Sequence, residues 1–92
     1  DYIVGIEIIC NDRNGMLTEI LAVPSEMKVN IHTINATPNR RNKTSTVLLG
    51  LDVSNIDQIT QIMTRVRQLK DVYRVTRTLG GSQLLNGNES ER

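Results

Sequence analysis

The stretch of the chain best suited to chemistry is Asn11-Asp12-Arg13-Asn14-Gly15-Met16-Leu17, a polar run that reaches a glycine and then enters an apolar period. A glycine at the mouth of a helix lets a ligand approach backbone N–H groups that lack an intrahelical acceptor and sit at the positive end of the helix dipole. Such a mouth suits a carboxylate. The same residues also make an ordinary strand-to-helix turn, in which Gly15 only permits the bend and Asp12 or Asn14 caps the helix. The residue types support both readings.

A second candidate is the cluster Arg40, Arg41 and Lys43 in the polar stretch NRRNK. Three cations on one tip match the phosphates of RNA, and they equally suit a solvated loop. Reading single-stranded RNA by sequence calls for bases stacked on aromatic side chains. The chain has no Phe or Trp, and its two tyrosines, Tyr2 and Tyr73, fall near strand ends, so only backbone contact is open to it.

The remaining reactive side chains point to structure. No Ser or Cys with an acidic partner forms a catalytic pattern with His32. Cys10 closes an apolar strand and reads as a small core residue. One cysteine and one histidine fall short of the four ligands of a structural zinc site and exclude an internal disulfide. No phosphate-cradling glycine loop is present. No catalysis, cofactor or metal is expected of this segment.

Composition sets the frame for these candidates. Ninety-two residues, 38% hydrophobic and 23% charged, fit a single domain, and a formal charge of +1 does not by itself demand a nucleic-acid or membrane partner. No apolar run approaches the roughly 20 residues that span a bilayer. A reducing, cytoplasmic setting is the expectation. Because an apolar segment begins directly after Asp1, the chain is read as part of a longer protein.

The elements that must position the candidates follow from periodicity. In residues 2–10, YIVGIEIIC, Val4, Ile6, Ile8 and Cys10 share one face at period two, which predicts a strand. Beyond the polar run, Leu17, Ile20, Leu21, Pro24 and Met27 predict a helix, with a kink or an early end at Pro24. Residues 29–37 predict a second strand stopped by Pro38, and 39–43 a hairpin tip. In residues 44–53 Val47, Leu49, Leu51 and Val53 share the inner face of a third strand. Ser54-Asn55-Ile56-Asp57 matches the serine-x-x-acid start of a helix, continued by Ile56, Ile59, Ile62, Met63, Val66 and Leu69. Arg65, Arg67 and Lys70 suit that helix's negative end. A fourth strand is predicted over 71–79, and residues 80–92 as a disordered tail. The order βαββαβ predicts an α+β, ferredoxin-like sandwich, a four-stranded antiparallel sheet with both helices on one face. On the other face Leu48 and Ile34, if they point there, would be exposed apolar groups, which a partner sheet or a second copy would cover.

These segments resemble the ACT domain, a small regulatory ligand-binding module, over Ile3 to about Arg77. The resemblance rests on Asp12-Arg13-Asn14-Gly15-Met16-Leu17, on Val29-Asn30-Ile31 and on Val72-Tyr73-Arg74-Val75-Thr76-Arg77. The opening from Ile8 through Cys10 and Asp12-Arg13 to Gly15, the closing strand and the shortage of aromatics are most similar to the C-terminal ACT domain of long Rel/SpoT-type (p)ppGpp synthetase/hydrolases. In this family the helix corresponding to the one with Pro24 usually runs uninterrupted. The resemblance implies a domain of residues 1–79 that senses an amino acid and biases the catalytic domains of its parent enzyme in the stringent response. It also places Asn30 beside the 11–17 segment, with Met16, Leu17 and Ile31 around an aliphatic ligand side chain. A homodimer is expected. Two alternatives remain: docking on the ribosome or transfer RNA, and regulation of an amino-acid biosynthesis enzyme.

Overall fold

The computed structural model describes residues 2–78, so the predicted tail from 80 onward lies outside the described residues. The elements are β1 (Tyr2–Asn11), α1 (Met16–Glu26), β2 (Asn30–Asn39), β3 (Thr44–Val53), α2 (Ile56–Arg67) and β4 (Val72–Arg77). They form one sheet in the order β2-β3-β1-β4 with every neighbouring pair antiparallel. This is the predicted ferredoxin-like arrangement. The period-two faces meet in register: Val4 lies opposite Leu51, Ile6 opposite Leu49 and Ile8 opposite Val47. Those residues are buried with Ile20 and Val23 of α1 and Ile59, Ile62 and Val66 of α2, so both helices cover the same face.

α1 carries Pro24 in its final turn and ends at Glu26. Proline has no N–H to offer the carbonyl of Ile20, so continuing the helix past it gains less than usual. The chain closes instead through the Val29 amide, which donates to the Pro24 carbonyl at 2.9 Å.

Three local expectations are corrected. Pro38 does not stop β2: the strand runs to Asn39, with Pro38 opposite Ser45. β2 is an edge strand, where a missing N–H costs no ladder bond on the open side. Ile34 does not point to the helix-free face. The register of β2 slips between Ile31 and Thr33, which places Ile34 opposite Leu49 and therefore on the helix side. Leu48, opposite Glu7 on the helix-free face, is only partly exposed. The start of α2 is shifted by one residue from the predicted serine-x-x-acid motif. Asn55 is the cap, its side chain accepting from the Gln58 amide at 3.1 Å, while Gln58 reaches back to the Ser54 amide at 2.7 Å.

Candidate functional site: the mouth of helix α1

Three turns with left-handed backbones converge where β1 hands over to α1. Gly15 has φ +84°, Lys43 +58° and Asp71 +71°. The Asn11 amide donates to the Asp71 carbonyl and the Asp12 amide to the Lys43 carbonyl, each at 2.8 Å. The loop is thus pinned on one side to the β2–β3 hairpin and on the other to the turn that enters β4. Gly15 caps α1 with no side-chain hydrogen bond. Neither Asp12 nor Asn14 caps the helix, contrary to the structural reading of these residues. Met16 donates to the Arg13 carbonyl at 3.1 Å and Glu19 to that of Gly15 at 3.0 Å. No acceptor among the described residues takes the amides of Leu17 and Thr18.

Beneath this mouth lies a cavity of about 140 Å³ lined by Asn11, Asp12, Arg13, Met16 and Leu17, together with Cys10, Ala36, Ser45 and Val47. Five of the seven residues singled out in the 11–17 segment therefore share one wall; Asn14 and Gly15 do not line it. The strand residues Ala36, Ser45 and Val47 have no sequence signal, because each alternates with its neighbours like any sheet residue. Cys10 is both core and cavity wall. Its Sγ donates to the Ser45 carbonyl at 3.6 Å, and burial, reinforced by the charge of Asp12, pushes its thiol above the ordinary value. A thiol held protonated is a poor nucleophile.

The guanidinium of Arg13 is held by the chain itself. Its Nε donates to Asp71 Oδ2 at 2.7 Å, Nη1 to Glu19 Oε2 at 3.0 Å and to the Asn14 carbonyl at 3.3 Å, and Nη2 to Glu19 Oε1 at 3.2 Å and the Lys70 carbonyl at 3.3 Å. A guanidinium has five N–H donors, and all are engaged. The bonds from Glu19 first, and Asp71 second, push its pKa further up, and Arg13 in turn holds Glu19 below the ordinary carboxylate range.

Asn30 and Ile31 do not join the 11–17 segment within one chain. Asn11 pairs with Thr44 at one end of β3, whereas Asn30 pairs with Asp52 near the other. At about 3.4 Å per residue the separation is about 27 Å. Arg40, Arg41 and Lys43 are exposed at the hairpin tip and form no ion pair with a described residue. A larger cavity, about 260 Å³, lies beside β4 between Arg67, Tyr73 and Arg74. Its Arg67 is already tied to the Val75 carbonyl at 3.1 Å.

The sequence pattern of the ACT domain matches residues 1–77. The chain belongs to the ACT domain family. This ACT domain is 35% identical to the crystal structure of the ACT domain from GTP pyrophosphokinase of Chlorobium tepidum, with a TM-score of 0.73, over 85% of this chain and 99% of that one. It is 24% identical over 74 residues to the GTP pyrophosphokinase of Haemophilus influenzae and 22% identical over 79 residues to that of Escherichia coli K12. Those alignments take in 80% and 86% of this chain but only 10% and 11% of the relatives. The chain thus spans about a tenth of the length of these curated relatives. The acetolactate synthase small subunit from Thermotoga maritima has a TM-score of 0.74 at 16% identity, over 84% of this chain and 47% of that one, which shows a shared fold. The chain is a regulatory domain related to GTP pyrophosphokinases, and among its described residues no helix is long and apolar enough to cross a membrane.

Proposed function

We propose that this ACT domain senses a small amino acid on behalf of the catalytic domains of a (p)ppGpp synthetase/hydrolase, and that it does so as a homodimer joined through β2. The observation that carries this reading is an uncapped helix mouth above a cavity that reaches Ala36 on an open edge strand. The free amides of Leu17 and Thr18 supply donors for a carboxylate. Met16, Leu17 and Val47 supply apolar wall. A volume of about 140 Å³ is below the about 300–1,000 Å³ of ordinary ligand pockets, so a second surface is needed to enclose the ligand.

β2 can provide that surface. Nine of its ten residues are exposed, including Ile34 at 48% and the helix-side Ala36 and Pro38. An edge of this kind is satisfied by pairing. If two copies pair antiparallel about a two-fold axis at Asn35, the extra residue between Ile31 and Thr33 brings Asn30 of the partner subunit opposite Asn39. Asn39 neighbours Thr44, and Thr44 neighbours Asn11. The two halves of the expected site, about 27 Å apart in one chain by strand rise, are then brought to three strand spacings, about 14 Å, across the dimer. An effector acts on the parent enzyme only as far as it prefers one of its states, typically by about 1–3 kcal/mol.

The test is amide chemical-shift mapping with each of the twenty amino acids, alongside light scattering. Binding should move residues 11–18 and 30–31 together in a dimer, and Asn30→Ala should weaken it without unfolding the chain. At about a hundred times its dissociation constant the ligand should stabilise the fold by about 2.7 kcal/mol. No shifts with any amino acid, or a monomeric mass at high micromolar concentration, overturns the reading.

The unpaired cations of Arg40, Arg41 and Lys43 favour a second reading, docking on ribosomal or transfer RNA. Counterion release would make that binding fall steeply with salt, and changing all three to alanine would flatten the slope by up to about three units. Amino-acid binding should hardly respond to salt.

A further inference from the structure

We infer that Arg13, although it stands in the middle of the ligand-binding candidates, is a positioning residue: a strut that transmits the state of the α1 mouth to the turn entering β4. The inference rests on the reading of that mouth as a ligand site, and it gives the site a direction of output.

The guanidinium joins separate parts of the fold. Its five donors reach the neighbouring loop carbonyl of Asn14, the α1 carboxylate of Glu19 and, remote in sequence, the α2–β4 turn through Asp71 and the Lys70 carbonyl. The fork on Glu19 is bidentate, a geometry that fixes orientation as well as distance. Side-chain exposures of 27% for Arg13 and 24% for Asp71 put their pair out of full solvent, where screening is weaker than at an open surface. Asp71 is held in a left-handed backbone that few residues other than glycine, Asn and Asp adopt readily. Any ligand that draws the Leu17 and Thr18 amides toward its carboxylate moves the first turn of α1, and Glu19 lies in the next residues of that helix. The displacement then loads Arg13, and through it Asp71. β4 lies on the opposite edge of the sheet from β2, so the strut carries the state of the mouth to the edge away from the proposed dimer. One rival route exists, the backbone bond from Asn11 to the Asp71 carbonyl.

The experiment needs no ligand. The mouth is perturbed by Gly15→Ala, which strains a residue at φ +84° without a clash, since a Cβ there meets nothing within 4 Å. Amide hydrogen exchange of residues 69–75 is compared across four proteins: wild type, Gly15→Ala, Arg13→Met and the double variant. The expected result is that Gly15→Ala alters exchange at 70–73 by about fivefold or more when Arg13 is present, and by less than about twofold when it is replaced. Arg13→Lys should fail to restore transmission, because an ammonium cannot span the fork and the turn at once. Should Arg13→Met not fold, Asp71→Gly keeps the left-handed backbone while removing the side-chain acceptor of Arg13 Nε, and should weaken transmission likewise. Undiminished transmission without the strut assigns the coupling to the Asn11–Asp71 backbone bond and overturns the proposal. So does a Gly15→Ala effect confined to residues 11–19 in the otherwise wild-type chain. Because no amino acid is added, failure to find a ligand leaves this result standing.

Discussion

The two helices occupy equivalent places in the two halves of the fold, yet their first turns are built differently. α2 is closed by its own sequence: Asn55 takes the Gln58 amide and Gln58 takes the Ser54 amide. α1 starts on a left-handed glycine with no side-chain cap, and the loop before it is tied through Arg13 to the β4 turn. A structural helix satisfies its orphan amides locally, at a gain of about 1 kcal/mol. A helix that leaves them open forgoes that stability, and the proposed ligand site depends on those open donors.

This contrast concerns the mouths and not the anchorage of the helices, which truncation of the core would show. Ile20 in α1 and Ile62 in α2 are both fully buried. Ile20→Ala and Ile62→Ala should each cost about 2–5 kcal/mol in urea unfolding. A much smaller loss for Ile20 would mean that α1 is less firmly packed than its burial implies, and the contrast would lie in packing after all.

A smaller effect tests the mouths directly. Asn55→Ala should destabilise by about 0.5–2 kcal/mol, whereas Asn14→Ala should stay within about 0.5 kcal/mol, because the Asn14 side chain caps nothing. Equal losses in thermal unfolding would remove the distinction between a closed and an open mouth.

The strut sharpens the comparison through pH. Glu19 is held below its ordinary value of 4.5 chiefly by its hydrogen bonds from Arg13. A depressed carboxylate contributes stability that is present above the unfolded value and is lost as pH falls through the folded one. The melting-temperature difference between wild type and Glu19→Gln should therefore be steady at neutral pH and shrink as pH is taken below about 4.5. A difference that does not vary with pH would show that the carboxylate charge is not what holds Arg13.

The smallest effect is expected at the hairpin. Alanine at Arg40, Arg41 and Lys43 should change folding stability by no more than about 0.5 kcal/mol each, since the three are exposed and unpaired. A larger loss would make this tip part of the structure of the α1 mouth, to which it is joined by the Lys43 carbonyl.

Much of the fold is legible in the residues themselves. β3 and α2 carry unbroken apolar periods, and their faces are the ones found buried. β2 is less legible: its register slip reverses the face of Ile34, and such slips answer to the neighbouring strand and not to local propensity. The site is legible by half. The 11–17 run stands out because a polar loop ending in glycine before a helix is a local pattern. Its walls, Ala36, Ser45 and Val47, and its latch, Asp71, come from segments that no spacing rule connects to it.

The sequence by itself determined the order of elements, the buried faces and the position of the helix mouth, because each depends on residues within one or two turns of one another. Tertiary structure alone decided that Arg13 is tied to Asp71, that Asn30 stands at the far end of the sheet, and that β2 is left open. Those outcomes depend on which strands become neighbours, and strand order is set by long-range packing that local residue spacing does not encode.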